Sequence, residues 1–268
     1  MPELAEVEYH RKHWDQGLGR KVLGVELHAT KRIFRGADTD ALVGELTGAK
    51  LLRSEARGKQ LMFVFSGGSW LGIHLGMTGK MHAEPSDFTP GKHDHLVLRQ
   101  KDIALVFSDS RLFGRVRYDQ AKQPPKWWSD IGPALVSPEF TAKVCRERLE
   151  RRPRAPVKAA LLDQKLFPGV GNWMADEILW QARIHPATPS AALSAAQQKS
   201  IWQKTREICR TALRTIGRDW GDPPDDWLIH VRWRKKGDCP RHGTPLKHAT
   251  IAGRTTAWCP RCQPRAKG

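Results

Sequence analysis

The stretch "CPRHGTPLKHATIAGRTTAWCPRC", residues 239–262, sets Cys239 and His242 in one tight knuckle and Cys259 and Cys262 in another, with residues 243–258 between them. Two short-spaced pairs of sulfur and imidazole donors match the pattern that closes a tetrahedral zinc site. Four protein ligands leave no position for water, so the expected Zn2+ is structural and staples a hairpin that has little core of its own. That argument disfavours a zinc-dependent hydrolase. His248 is a spare donor between the knuckles and reads as a surface or DNA-facing residue. Arg254 falls in the connecting turn and would be presented rigidly.

Upstream of the knuckles the texture is helical. Helices are predicted over Phe140–Glu150, Val157–Lys165, Trp173–Ala182 and Ser194–Ile216. The last ends at Gly217 and carries Ile201, Thr205, Ile208, Ala212 and Thr215 on one face. Residues 219–226 break into a polar, Pro-containing loop. "QPPKWWSDIGPALVSP", residues 123–138, has the Pro and Gly content of a linker, with Ser137 and Pro138 suited to open a helix.

Before that linker the period drops to two. Leu23, Val25, Leu27 and Ala29 alternate, and "KQLMFVF", "SWLGIHL", "DHLVLRQ", "DIALVFS" and "GRVRYD" follow between turn residues, which reads as a β-sandwich. Residues 4–16 place Leu4, Val7 and Trp14 on one helical face, with Glu8 and Lys12 at i,i+4. The fold class is therefore α+β: an N-terminal β-sandwich with its first helix over 1–132, a helical module over 133–226, and a zinc finger over 227–268.

Composition narrows the partner. Lys+Arg 45 against Asp+Glu 28 gives a formal charge of +17, which suits a polyanion better than it suits solubility alone, and 11 Trp mix with the basic residues. Nucleic acid is the leading partner, a solvated basic surface the plain alternative. No apolar run approaches the ~18 residues that span a bilayer, and the N-terminus lacks the apolar core of a secretion signal, so a cytoplasmic, nucleoid-associated protein is expected. Five Cys is an odd number. Metal ligation in a reducing compartment fits better than a disulfide framework, with Cys145 and Cys209 left as small buried hydrophobes.

Three further stretches carry chemistry. In "FPGVGNWMADE" a Gly-rich turn leads into a helix whose first amides, with Asn172, suit a phosphate. "HLGMTGK" and "DSRLFGR" each follow a strand, and Met77, Arg111 and Phe113 could enter a base stack, although Met77 and Phe113 also read as core residues. At the start, "MPEL" places Pro2 behind Met1. Removal of Met1 leaves a secondary amine of pKa near ~7.7–8.0, against ~10.4 for Lys, with a nucleophilic neutral fraction at pH 7. Glu3 sits one residue away to move protons. Pro after Met is also ordinary, and with Met1 retained Pro2 is an amide.

Taken in order, "MPEL", "RGK", "HLGMTG", "KHDH", "DSRLFG", "GVGN" and the terminal knuckles resemble the Fpg/Nei (formamidopyrimidine-DNA glycosylase) family of base-excision repair enzymes over nearly the whole chain. The resemblance implies a β-sandwich joined to a helix-two-turn-helix module and a zinc finger. It also implies a monomer that binds damaged double-stranded DNA in the cleft between, as an N-glycosylase with DNA-(apurinic or apyrimidinic site) lyase activity. Carried over by position, Pro2 is similar to the Schiff-base nucleophile and Glu3 to the acid that opens the sugar ring. Lys59 is similar to the residue that binds phosphate and assists β-elimination, and Arg254 to the Arg of δ-elimination. Met77, Arg111 and Phe113 match the residues that fill the gap left by the extruded nucleotide. His93, Arg154, Lys158 and Asn172 match contacts to the DNA backbone.

The chain departs from the family at Ala5, where Pro is common, at His242, where four Cys are usual, and at Leu112, where Arg is common. The segment 217–230 is shorter than the loop that caps 8-oxoguanine in typical members. Weak capping and broader action on ring-opened purines, oxidised pyrimidines or abasic sites are therefore expected. A DNA-binding paralogue that recognises lesions without cutting is the rival reading.

Overall fold

The computed structural model describes residues 1–234 and 236–265, so the last three positions of the expected zinc finger, 266–268, lie outside the described residues, as does Lys235. The chain divides into two compact units, Met1–Ile131 and a second from Gly132 onward.

The first unit opens with helix α1, Leu4–His13, which continues as a 3-10 turn over Trp14–Gly17. Leu4, Val7 and Trp14 are buried along one face as their spacing requires. Glu8 pairs with Arg11 at 2.7 Å rather than with Lys12. Arg11 is preferred because its fork also reaches Asp15 at 2.8 Å, tying the helix to its 3-10 extension.

Eight strands follow, with helix α2 (Thr39–Leu46) between the first two. They are β1 (Gly24–Leu27), β2 (Leu51–Arg57), β3 (Gln60–Phe65), β4 (Ser69–His74), β5 (Lys80–Pro85), β6 (Asp94–Arg99), β7 (Ile103–Ser108) and β8 (Arg115–Gln120). They form two antiparallel four-stranded sheets, β1-β6-β7-β5 and β2-β3-β4-β8. Leu61, Phe63, Leu71 and Ile73 from one sheet and Met81, Leu96, Leu98, Leu105 and Phe107 from the other share a single core with Trp14, which makes the unit a sandwich.

The stretch 123–138 is not a plain linker. Helix α3, Lys126–Ser129, lays Trp128 against Met62 and Trp70 on the outer face of the second sheet, and Trp127 Nε1 donates to Asp119 at 2.6 Å. Two tryptophans have enough apolar area to hold a Pro-rich segment down.

The second unit is helical: α4 (Ala142–Glu150), α5 (Val157–Leu162), α6 (Asn172–Gln181), α7 (Ala195–Arg214) and α8 (Ile216–Asp219). The start of α4 is set by Thr141, whose Oγ1 accepts the Val144 amide at 3.2 Å, and not by Ser137. Between α5 and α6 the chain makes two turns, closed by the Phe167 amide on the Asp163 carbonyl (2.8 Å) and by the Val170 amide on the Phe167 carbonyl (3.2 Å). This is the helix-two-turn-helix expected. Ser194 and Gln197 form a reciprocal capping box at the start of α7, whose Ile201, Thr205, Ile208 and Ala212 are buried as read.

The chain then makes a hairpin, β9 (Lys247–Ile251) and β10 (Arg254–Trp258), joined by Ala252 and Gly253 at φ 53° and 70°, the signs of a type I′ turn. Cys239, Cys259, Cys262, Leu228 and Leu246 pack with Trp180 of α6. The Cys/His segment therefore shares a core with the helices of its unit. Among the described residues no helix is long and apolar enough to cross a membrane.

Candidate nucleic-acid interface and metal centre

In the first unit, three predicted contact loops meet at one buried carboxylate. Asp109 follows β7. Its Oδ1 accepts from Thr78 Oγ1 at 2.6 Å and from the Arg111 amide at 3.2 Å, and its Oδ2 accepts from the Gly114 amide at 2.7 Å. Its own amide donates to the His93 carbonyl at 2.9 Å. The turns that carry Met77, Arg111 with Phe113, and His93 are thus fixed relative to one another.

Gly76 is required for that approach. Its φ is +64°, and a Cβ there would lie 2.4 Å from the Phe113 carbonyl carbon. The tips stay accessible: Arg111 and His93 are exposed, Met77 is half-buried, and Phe113 is 42% exposed, so Phe113 is not a core residue. The Arg111 guanidinium lies 4.9 Å from the Phe113 ring centroid.

His95 supports the same corner from behind. The Asp109 carbonyl can only accept, so His95 Nε2 donates to it (3.0 Å), and His95 Nδ1 accepts from His28 Nδ1 (2.9 Å). Burial holds the His95 pKa below its usual value. The loop that carries His93 has a second brace. Glu84, His82, Ser108 and Asp94 form a continuous chain at 2.7, 2.8 and 2.5 Å, and Asp94 Oδ2 accepts the Gly91 amide at 2.8 Å.

Lys59 sits in the two-residue turn between β2 and β3 and is only 9% exposed. Its neighbour Gln60 pairs with His74 across β3 and β4. Burial, followed by the charges of Lys59, Arg117 and Arg35, pushes the His74 pKa down to about 4. The Gly76 amide donates to His74 Nδ1 at 3.0 Å, so the neutral ring carries its proton on Nε2.

Arg117 donates to Gln60 Oε1 at 3.2 Å, and Arg35 to the Gly114 carbonyl at 3.1 Å. A neutral donor set among three cations suits a phosphate. Sequence reasoning found Lys59 but missed Asp109, His74, Arg35 and Arg117. His74 and Asp109 open the very motifs singled out, where each stands at a strand end. Glu3 is buried at the head of α1, and its amide donates to the Glu6 carboxylate at 2.5 Å. Pro2 beside it is half-buried.

In the second unit the hub is Asp176, one turn into α6. Lys158 Nζ lies 2.7 Å from its Oδ1, while Arg232 pairs with its Oδ2, which also accepts the Ala257 amide at 3.1 Å. Lys158 is fully buried and donates to the Thr255 carbonyl (3.1 Å) and Thr256 Oγ1 (2.7 Å). The resemblance matches Lys158 to a contact with the DNA backbone, whereas here its side chain is buried. Its ammonium is committed to a buried ion pair, where a carboxylate 18 residues away in sequence outcompetes solvent (Lys158 to Asp176).

Asn172 Nδ2 donates to the same Thr255 carbonyl at 2.9 Å, and its Oδ1 has no partner among the described residues. Arg154 and Arg254 are both exposed, Arg254 as the first residue of β10. Residues 217–230 form a compact loop. Trp220 takes a left-handed conformation (φ 63°), and His230 Nε2 donates to the Pro223 and Pro224 carbonyls at 3.1 Å each.

The donor atoms of Cys239, His242, Cys259 and Cys262 all lie within 4.8 Å of one another. Zn–S bonds of about 2.3 Å at tetrahedral angles place two sulfurs about 3.8 Å apart. Cys239 and Cys262 Sγ are 3.7 Å apart, and His242 Nδ1 lies 3.9 and 3.1 Å from them. The set fits a four-coordinate zinc ion. Trp180 Nε1 donates to Cys239 Sγ at 3.4 Å, an outer hydrogen bond of the kind that steadies a thiolate ligand. His248 is instead bonded to the Arg232 carbonyl at 3.1 Å and stands apart from the quartet.

Two family models match the chain: the formamidopyrimidine-DNA glycosylase N-terminal domain over residues 1–116, and the H2TH domain of the same enzymes over residues 131–220. A Synechococcus formamidopyrimidine-DNA glycosylase is 36% identical, covering 98% of this chain and 99% of its own, and a Roseiflexus one is 34% identical, covering 98% and 100%. Among solved structures, the Lactococcus lactis enzyme in complex with DNA containing an oxidised pyrimidine is similar at 30% identity and a TM-score of 0.88, covering 98% of this chain and 100% of that one. The same enzyme bound non-covalently to DNA with an abasic site gives 30% and 0.86, with the same coverage. On sequence over its full length, and on fold, this chain belongs to the formamidopyrimidine-DNA glycosylase family.

Proposed function

We propose that the protein is a bifunctional DNA glycosylase and abasic-site lyase of base-excision repair, acting as a monomer on damaged double-stranded DNA in the cytoplasm. The observation that carries this reading is full-length similarity to glycosylases whose solved complexes hold damaged DNA. The division of labour proposed is catalysis in 1–132, DNA binding in 133–226 and the finger in 227–268.

Freed of Met1, the Pro2 nitrogen attacks C1′ of an extruded nucleotide. The N-glycosidic bond breaks and the base leaves with a proton, after which the proline nitrogen, having lost its own proton, closes an iminium as the C1′–O4′ bond breaks. Glu3, buried beside it, delivers the proton that opens the sugar ring. Loss of a C2′ proton then expels the 3′ phosphate, and a second elimination expels the 5′ phosphate. Lys59 and Arg254 hold those phosphates, and the neutral His74 among Lys59, Arg117 and Arg35 adds a donor.

Extrusion costs a few kcal/mol. Met77, Arg111 and Phe113 offset it by filling the stack, with His93, Arg154 and Asn172 on the backbone. Lys158 contributes indirectly, by holding the strand behind Arg254. A zinc ion at Cys239, His242, Cys259 and Cys262 would supply structure to the hairpin that carries Arg254. The compact 217–230 loop supports weak capping of 8-oxoguanine and a broader lesion range.

Borohydride trapping on a duplex with one abasic site tests the assignment. A covalent adduct is expected from the wild type and is lost when Met1 is retained ahead of Pro2, which turns the attacking nitrogen into an amide. An adduct that forms with the Pro2 nitrogen blocked in this way removes it. An intact mass that retains Met1, with DNA binding but no adduct, selects the non-cutting paralogue.

A further inference from the structure

Trp233 is 64% exposed, the most exposed large apolar side chain among the described residues. It is also held from one side. The Arg232 guanidinium lies 3.8 Å from its ring centroid, a full cation–π stack. Arg232 itself is buried, its Nε donates to Asp176 at 3.2 Å, and its carbonyl accepts from His248 at 3.1 Å. Arg232 Nη1 has no hydrogen-bond acceptor among the described residues, which leaves the indole face as the group that meets that part of the cation.

A tryptophan left this open to water exposes apolar area at a cost, and one seated on a buried ion pair also loses rotamer freedom. Neither is needed to fold the loop, since the pair with Asp176 already anchors Arg232. The exposed ring has the Arg232 cation on one face and the exposed Arg234 next to it in sequence, in a chain of +17. It also shares its framework with the proposed phosphate contacts. Asp176 binds the Ala257 amide of β10, the strand that begins at Arg254, and Asn172 and Lys158 both bond Thr255 of that strand.

From this geometry we propose that Trp233 is a stacking platform for an unpaired nucleobase, and so a residue that favours unpaired over fully paired sites in the lesion-processing reaction. A rigid aromatic face on a cationic mount is the arrangement that binds a splayed base with little regard for its identity. It would let this chain engage an extruded or orphaned base without an enclosing cap. This inference rests on the proposed glycosylase function and adds a residue that makes no phosphate contact.

The test compares two duplexes of equal length, one fully paired and one with a single bulged adenine, bound by the full chain and by Trp233→Ala and Trp233→Phe. Trp233→Ala should bind the bulged duplex about tenfold more weakly and the paired duplex less than twofold more weakly, with Trp233→Phe close to wild type. The slope of log affinity against log salt should be unchanged in Trp233→Ala, because stacking releases no counterions. Equal loss on both duplexes, or no loss on the bulged one, overturns the platform. Cleavage of an abasic duplex by the wild type separates the two claims. With cleavage intact, either failure removes the platform alone, whereas a wild type that neither binds nor cuts removes the proposed function with it. Loss of thermal stability or zinc content in Trp233→Ala with recovery in Trp233→Phe, and no change in the ratio of bulged to paired affinity, would mark a structural role and also overturn the proposal.

Discussion

Asp109 is a single side chain on which three loops depend. Its two oxygens take three donors, Thr78, Arg111 and Gly114, in a fully buried position. Asp109→Asn keeps the shape but turns one oxygen into a donor, so one of those donors must face another. The cost should be on the order of 1–3 kcal/mol for the stranded group, and DNA affinity should fall because Met77, Arg111 and Phe113 lose their common mount. Thermal melting and binding to a lesion-containing duplex check both halves, and unchanged binding would show the turns to be fixed without it. The sequence places Asp109 at the head of "DSRLFG" but not the origin of its partners, since Thr78 and His93 come from other loops. Lys158 fails to be legible for the same reason: the resemblance matches it to a DNA-backbone contact, while its partner Asp176 comes from another helix.

Elements were legible where local chemistry decides them. The start of α7 at Ser194 and its apolar stripe survive in the structure, as do the strands β3, β4, β6 and β7. Pieces too short for a period were not. Helix α2, strand β5 ("KMHAEP") and helix α3 are defined by what they pack on, and Trp127 and Trp128 turn a Pro-rich stretch into part of the sandwich. The hairpin β9–β10 lies between these cases. Its ligands are spaced by sequence, yet its apolar support comes from Trp180 and Leu228 outside the hairpin. Metal analysis should return one zinc per chain. Chelation, or Cys259→Ser, should open residues 239–262 to limited proteolysis while the first unit stays protected, and should weaken DNA binding through Arg254. Continued protection after the metal is removed would show that the apolar cluster alone closes the hairpin.

At the scale of the whole molecule, a chain of +17 commits some cations to buried ion pairs, as at Lys158 and Arg232, and leaves others exposed, as at Arg111, Arg154 and Arg254. The charge total was legible, but not which histidines must stay neutral inside that field. Burial pushes both His10 and His74 down to about 4, with neighbouring positive groups adding to it. A base whose folded pKa is depressed contributes stability that is present above its unfolded value, near 6.5, and lost as pH falls through about 4. Each shift corresponds to roughly 3 kcal/mol. Glu177 works the other way: burial raises it to about 7, so its contribution is fully present below about 4.5 and lost as pH rises through 7. Between pH 6.5 and 4 the two losses outweigh the one gain, so these three groups together destabilise the fold on acidification. Glu177→Gln removes the opposing gain. Its melting temperature should therefore fall more steeply than the wild type's over that range, and His10→Gln should fall less steeply. Parallel curves for all three proteins would show that these groups do not set the acid stability of the fold.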